Sequence, residues 1–167
     1  FYLFLVQNNC WDIRQQQKNE ETAFDYDDVV RERILNGEFP DYLLKRFEDI
    51  LDYFGQSPII VRSSSLLEDN YGNAFAGKYD SVFCANQGRR SKRLEKFIEA
   101  VKIVYASTMT KSALSYRAKR GILEKDEQMS LLVQRVSGQE HGHLFFPDVA
   151  GVGLSFNPYV WDNNIDP

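Results

Sequence analysis

This sequence contains little cysteine, little histidine and no excess of basic residues, and each shortage excludes a class of protein. Its two cysteines, Cys10 and Cys84, are too few for the disulfide framework of small secreted domains, and they fit a reducing compartment. Lysine and arginine total 20 against 24 aspartate and glutamate residues, a net charge of -4. Affinity for a nucleic-acid backbone needs a basic surface. We therefore expect a cytoplasmic protein that has two buried thiols and binds no nucleic acid.

Long apolar runs are missing as well. The apolar run at residues 1–6 is far shorter than the roughly 20 residues of a membrane span, and no basic segment precedes it as in a signal peptide. The run is typical of the middle of a structural element, and residues 161–167 form turns by composition. We expect no membrane span, and we expect the chain to be a piece of a longer protein.

Two glycine motifs that bind nucleotides are also missing. Neither G-x-x-x-x-G-K-[ST] nor G-x-G-x-x-G occurs in the sequence. The first cradles phosphates in P-loop proteins, and the second binds dinucleotides at the start of a Rossmann fold. Any phosphate site in this chain must therefore be built in another way.

The residues that are present describe one ordered globular domain. The chain has 167 residues, of which 43% are hydrophobic and 14% aromatic. Apolar residues at intervals of three and four predict helices, and alternation between turn residues predicts strands. Helices and strands intermix without a regular βαβ repeat, so we predict an α+β fold with a mixed sheet and flanking helices.

The individual elements follow from this spacing. The predicted helices run from a cap at Asp41 to a stop at Gly55, over Leu94–Tyr105, and over Lys111–Lys119 with a stop at Gly121. The predicted strands are Pro58–Arg62, Tyr79–Ala85, Met129–Val136, Phe145–Phe146 and Val149–Phe156. Residues 12–28 are polar and predict a surface connection, and residues 68–78 predict a long loop.

Arg62 ends a predicted strand and is followed by three serines, Ser63–Ser65. Its guanidinium is a planar fork that is always charged, and the hydroxyl and backbone N–H groups beside it make a good phosphate cradle. The same pattern fits a second interpretation, in which Ser65–Glu68 is a capping box that opens a short turn. Arg62 would then belong to a structural ion pair, and both interpretations stay open.

Small residues and a glycine precede a cation in the segment Ala74–Lys78. Such a segment lets the backbone approach an anion closely. A plain turn before a strand has the same composition, so the segment by itself does not distinguish a phosphate loop from a turn.

Several short motifs occur in a characteristic order. They are Val61–Asp69, Ala74–Tyr79, Tyr105–Ser107, Tyr116–Arg117, Val133–Gln134 and Ala150–Ser155. In this order they resemble the ATP-binding domain of the pyruvate phosphate dikinase and phosphoenolpyruvate synthase family. The resemblance is strongest over residues 40–160, and it implies that residues 1–167 are part of a single ATP-binding domain.

The resemblance implies an incomplete ATP-grasp-like fold in which ATP lies between two subdomains and basic residues clamp its phosphates. It makes Arg62 a phosphate-binding and catalytic residue, and it places Gly77 in the phosphate-covering loop. The other cofactor-binding residues that it implies are Ser63, Lys78, and, on strands that line the nucleotide cleft, Gln134 and Ser155.

Parts of the family's site are expected outside this sequence. The family's glycine-rich lysine segment would lie before Phe1, and its acidic metal-binding residues, with a Gln-x-Arg strand, after Pro167. Gln134-Arg135 is not that strand, because the arginine follows the glutamine directly. The resemblance therefore implies ATP and Mg²⁺ as cofactors, with no metal ligand in this chain, and an inactive fragment.

The function implied is that of the ATP-binding part of a phosphotransferase. Its partners would be ATP and a phosphohistidine-carrying domain of the same protein, which accepts the phosphoryl group on the way to phosphoenolpyruvate or a similar product. The alternative is a non-catalytic nucleotide-sensing or interaction module on the same fold. A histidine domain downstream in the full-length sequence would favour the enzyme.

Two further clusters carry reactive or charged side chains. His141 and His143 lack a third ligand nearby, and the adjacent glycines indicate a turn, so we predict a surface hairpin in preference to a metal site. The basic residues at 89–96 open a helix against its dipole. We predict that they are solvated or paired with acidic neighbours in preference to binding an anion or nucleic acid.

Overall fold

The computed structural model of the chain describes residues 1–68, 77–151, 153 and 155. The chain divides into two compact units, residues 1–136 and residues 137–167. In the first unit the described elements are, in order, α1 (Tyr2–Gln7), α2 (Trp11–Gln16), α3 (Asp27–Asn36), α4 (Asp41–Phe54), β1 (Ile59–Ser65), β2 (Ser81–Cys84), α5 (Arg90–Ser107), α6 (Lys111–Lys119) and β3 (Met129–Arg135). In the second unit they are β4 (Gln139–His141) and β5 (Leu144–Phe146). The chain is therefore α+β, as its sequence predicts.

Helix α4 shows how local sequence sets the helix bounds. Its apolar residues recur every three or four positions, and Leu51 on this face is completely buried. Pro40 is the residue before the helix, so Asp41 is the first helical residue and not the predicted cap. Gly55 follows with a φ of +61°, a left-handed conformation that ends the helix. Helix α6 has the predicted bounds, and α5 is longer at both ends than predicted.

The predicted surface connection at residues 12–28 is wrong. This stretch contains most of α2 and the first two residues of α3. Arg14, Gln17 and Ala23 are all buried there. The polar composition was misleading because two of the buried side chains are themselves polar.

The sheet of the first unit has the strand order β2-β1-β3. The central strand β1 pairs antiparallel with both neighbours, and Arg62 lies opposite Ser81 on β2 and Leu132 on β3. The predicted mixed sheet is therefore wrong for these strands. Two parallel neighbouring strands are joined by a long crossover connection, which is usually helical. In this chain the helical connection of α5 and α6 joins β2 to β3, and β1 lies between these two strands in the sheet.

The core of the first unit lies between the inner face of the sheet and the helices. Helix α5 contacts α3, α4, β1 and β2, and it contributes the buried side chains of Phe97, Val101 and Val104. Ile59 and Val61 of β1 are completely buried in the same cluster. Each such side chain stabilises the fold by about 1.5–3 kcal/mol relative to exposure. Of the two free thiols, Cys10 is buried, whereas Cys84 is only half-buried.

The second unit contains an antiparallel hairpin formed by β4 and β5. Its two-residue turn begins at Gly142, whose φ of +68° suits the first central position of a type II′ turn. His143 is therefore the second residue of the turn and His141 directly precedes it, so both histidines lie in a hairpin, as predicted. Of the predicted strand Val149–Phe156, residues 149–151, 153 and 155 are described and lie in no strand, and the other three lie outside the described part of the chain. In the described part of the chain no helix has both the length and the apolar character of a membrane span.

The packing of α4 predicts a specific loss of stability. Leu51→Ala should lower the free energy of unfolding by about 2–5 kcal/mol, because the helix and the sheet can collapse only partly into the cavity. Urea denaturation measures this change. Leu3→Ala is the matched control, since Leu3 is 53% exposed on α1, and it should cost less than about 1 kcal/mol. Equal losses in the two variants would show that α4 does not contribute to the core.

Candidate functional site

One face of the three-stranded sheet carries the polar residues that the sequence singled out. Side chains alternate along each strand, and the face opposite to α5 presents Ile60, Arg62 and Ser64 of β1, Ser81 and Phe83 of β2, and Ser130, Leu132 and Gln134 of β3. We call this set the open sheet face. All of these residues except the half-buried Ile60 are exposed, and Phe83 is 71% exposed.

Arg62 lies on the central strand of this face. Its side chain is exposed, and its ladder neighbours Ser81 and Leu132 are uncharged. Among the described residues, no carboxylate forms an ion pair with it. A guanidinium that is not paired within the fold keeps its donors available for an anion.

Gln134 lies on the same face as Arg62. It is exposed and opposite Ile60, which is two residues from Arg62 along β1. The sheet therefore brings these two predicted site residues together. Ser63 instead alternates to the inner face, where its hydroxyl donates to Glu68 Oε1 at 2.6 Å.

The serine-rich turn after Arg62 has the hydrogen bonds of a capping box. The Ser65 N–H donates to Glu68 Oε2 at 2.8 Å, and the Leu67 N–H donates to Ser65 Oγ at 3.0 Å. The capping-box interpretation of the sequence is thus confirmed. The same interpretation also predicts a structural ion pair for Arg62, but no described carboxylate forms an ion pair with this residue.

The other three predicted residues lie in different surroundings. Gly77 has a φ of +71°, a conformation that favours glycine. Lys78 is half-buried, and its Nζ lies 5.4 Å from the centre of the Tyr116 ring, within the range of a cation–π contact. Ser155 is an exposed residue of the second unit.

A buried polar cluster beneath the sheet was missed by the sequence analysis. Glu127 is completely buried and accepts hydrogen bonds from the hydroxyl groups of Ser65 and Tyr79. Arg14 and Arg117 are also buried, and both donate to the backbone oxygen of Lys125. The only signal in the sequence was Tyr116–Arg117 as a family motif, since nothing local marks Arg14 or Glu127 as buried.

The basic residues at the start of α5 pair with acidic neighbours, as predicted. Arg90 contacts both Glu48 and Asp52, with its shortest N–O distance of 2.6 Å to Asp52. Hydrogen bonding to Arg90 lowers the pKa of the Asp52 carboxyl below its ordinary value. In the second unit, His141 stacks on Phe146 with 4.0 Å between ring centres, and its Nε2 lies 3.5 Å from Asp148 Oδ1.

Comparison with known proteins adds an independent line of evidence. The family model for the AMP/ATP-binding domain of pyruvate phosphate dikinase matches residues 1–165. The chain is 29% identical over 125 residues to a phosphoenolpyruvate synthase of Aeropyrum pernix, covering 71% of the chain and 14% of that protein.

Two further relatives agree with this match. An uncharacterized phosphotransferase of Bacillus subtilis, YvkC, is 26% identical over 161 residues, which are 96% of the chain and 17% of the relative. A probable phosphoenolpyruvate synthase of Pyrococcus horikoshii is 29% identical over 144 residues, which are 83% of the chain and 16% of the relative. The chain thus spans less than one fifth of the length of these relatives.

The exposed position of Arg62 predicts that the fold does not need it. Arg62→Ala should change the free energy of unfolding by less than about 0.5 kcal/mol, since exposed side chains without partners contribute little. Its neighbour Val61 is completely buried, and Val61→Ala should cost about 1.5 kcal/mol or more. Urea denaturation of both variants is the measurement. A loss for Arg62→Ala as large as that for Val61→Ala would support a structural ion pair.

Proposed function

The chain belongs to the pyruvate phosphate dikinase family through its AMP/ATP-binding domain, and on this premise we propose that ATP binds against the open sheet face with its phosphates at Arg62. The observation that carries the proposal is the exposed guanidinium of Arg62, which has no ion-pair partner among the described residues and lies on the central strand of that face. Arginine binds phosphate oxygens through two parallel N–H donors, so this position suits a phosphate group.

The surroundings of Arg62 suit the remainder of a nucleotide. Gln134 on β3 offers an amide that can donate and accept hydrogen bonds. Phe83 and Leu132 provide exposed apolar surface on either side of the central strand. Nucleotide pockets are lined mostly by apolar and aromatic side chains with a few polar groups that fix orientation. Gly77 and Lys78 would contribute backbone N–H groups and a cation from the segment that leads into β2.

We further propose that the chain supplies one side of an ATP-grasp-like cleft. In this arrangement residues 1–167 are part of a single ATP-binding domain, and ATP lies between them and a second subdomain elsewhere in the protein. Gln134 would line the cleft. The free thiols Cys10 and Cys84 fit a cytoplasmic location, where thiols stay reduced.

In the reaction that we propose, a phosphoryl group of ATP passes to a histidine on another domain of the same protein. Arg62 would hold the phosphate oxygens in position and offset negative charge as it develops, which is the main requirement of phosphoryl transfer. The product would be phosphoenolpyruvate or a similar compound.

Magnesium does not fit the residues of the open sheet face. Mg²⁺ takes oxygen ligands, usually one or two carboxylates together with phosphates. The open sheet face contains arginine, amide, hydroxyl and apolar groups but no carboxylate, and no group of three potential metal ligands occurs in the described part of the chain. We propose, as the family resemblance implies, that the metal ligands lie outside this chain.

A second candidate function is binding of the nucleotide without transfer, as in a sensing or interaction module. The composition of the open sheet face favours it, because the face offers groups that bind but no carboxylate or histidine that could act as a general acid or base. The full-length sequence discriminates between the two. A downstream histidine domain and an acidic Gln-x-Arg segment favour the enzyme, and a signalling domain without them favours the module.

Loss of Arg62 should remove transfer without removing the fold. In the intact protein, Arg62→Ala should reduce ATP-dependent phosphoryl transfer by a factor on the order of 10²–10³, because one charge contact in the transition state is lost. Arg62→Lys should also be impaired, since a point charge cannot replace the planar fork. The matched control is Arg135→Ala. Arg135 is an exposed arginine on β3 outside the open sheet face, and this variant should transfer the phosphoryl group at the unaltered rate. Unchanged turnover per folded Arg62→Ala molecule would refute the phosphate assignment.

The isolated chain should bind ATP poorly. We expect a Kd at or above about 1 mM for residues 1–167, because the lysine segment and metal ligands of the proposed site are not among them. Titration calorimetry at millimolar ATP, with and without Mg²⁺, measures this affinity. Micromolar binding would mean that the chain contains a complete site built from other residues.

A further inference from the structure

Glu127 connects two segments that are far apart in the sequence. It lies between α6 and β3 and is completely buried. Its Oε1 accepts a hydrogen bond from the Ser65 hydroxyl, and its Oε2 accepts one from the Tyr79 hydroxyl. Ser65 ends the strand that carries Arg62, and Tyr79 directly follows Gly77 and Lys78. One carboxylate therefore holds both of the segments in which we place phosphate-binding groups.

Two buried arginines, Arg14 and Arg117, belong to the same cluster as this carboxylate. Arg14 Nη2 donates to the Lys125 oxygen at 3.4 Å, and Arg117 donates to the same oxygen. Burial and the nearby charge of Arg117 lower the pKa of Arg14 to about 10, so Arg14 stays charged at neutral pH. Burial and the neighbouring Glu127 raise the pKa of Tyr79, so its hydroxyl keeps the proton that it donates.

Hydrogen bonds also connect Ser65 to the turn that follows Arg62 in the sequence. The hydroxyl that donates to Glu127 also accepts from the Leu67 N–H at 3.0 Å. Glu68 in turn accepts from the Ser65 N–H at 2.8 Å and from the Ser63 hydroxyl at 2.6 Å. The end of β1 and the following turn thus form one hydrogen-bonded unit that is attached to Glu127.

Stability alone is a poor explanation for this arrangement. Burying charged groups carries a desolvation cost that ion pairing only partly offsets, and apolar replacements of similar shape are often neutral or stabilising. A buried carboxylate with two hydroxyl donors does, however, fix the distance and orientation of the chains that carry the donors. Positional precision of this kind is what phosphoryl-group binding requires.

We propose that Glu127 is a positioning residue of the nucleotide site, which holds Ser65 and Tyr79 and thereby aligns the end of β1 with the Gly77–Lys78 segment. The role toward ATP rests on the proposed function, whereas the connection between the two segments does not. Glu127 itself does not contact the nucleotide in this arrangement.

The first test measures the connection without ATP, in the intact protein. Tyr79→Phe and Ser65→Ala each remove one donor and leave Glu127 with the other, so they avoid the unfolding that loss of a buried charge would cause. Amide exchange in peptides that contain Ser65–Glu68 or Gly77–Tyr79 should become about ten-fold faster or more, as expected for a lost hydrogen bond to a charged group. Tyr105→Phe on α5 and Ser112→Ala on α6 are the controls, since neither hydroxyl bonds to Glu127 and neither residue belongs to the open sheet face. Unchanged exchange in both test variants would overturn the proposal.

The second test measures ATP binding by the same variants beside Arg62→Ala. We expect Tyr79→Phe and Ser65→Ala to raise the Kd for ATP about ten-fold per folded molecule, with the control variants unchanged. Faster exchange together with an unaltered Kd, while Arg62→Ala abolishes binding, would overturn the positioning role. If Arg62→Ala itself kept full ATP affinity, the proposed nucleotide site would fail, and the positioning role toward ATP would be overturned with it.

Discussion

The packing of α5 against one face of the three-stranded sheet is the interaction on which the first unit depends. This helix contacts β1 and β2 on one side and α3 and α4 on others, so it joins the sheet to the helical layer. Residues along a strand alternate between faces, so the packing that buries Ile59 and Val61 necessarily turns Arg62 outward. The location of the candidate site is thus a consequence of the apolar core. No ion pair among the described residues holds the Arg62 side chain in place.

The polar cluster around Glu127 serves a different physical purpose from the apolar core. Apolar burial is not directional, and it stabilises many arrangements of similar shape. Hydrogen bonds from Ser65 and Tyr79 to one carboxylate are directional, and each requires its donor at a particular position. The core therefore accounts for the stability of the unit, and the cluster accounts for the alignment of the two segments beside the open sheet face.

Much of the fold could be predicted because its signals are local. The spacing of apolar residues and the glycine that follows predicted α4 and α6, and alternation between turn residues predicted β1, β2 and β3. Alternation also accounts for part of the site, since Gln134 lies opposite Ile60, two residues from Arg62 along β1, and therefore shares a face with Arg62. The family resemblance that these motifs carry is confirmed by the match over residues 1–165. The mixed sheet was predicted wrongly, because strand direction depends on which strands become neighbours.

By itself the sequence determined the α+β class, the family and the bounds of α4 and α6, since each of these depends on local patterns of residues. Only the tertiary structure decided the antiparallel order of the sheet, the burial of residues 12–28 and the position of Glu127. Glu127 finds its donors 62 and 48 residues away, and Arg14 donates to an oxygen 111 residues away. A polar side chain indicates the protein surface unless its partners are known, and those partners meet only when the chain has folded.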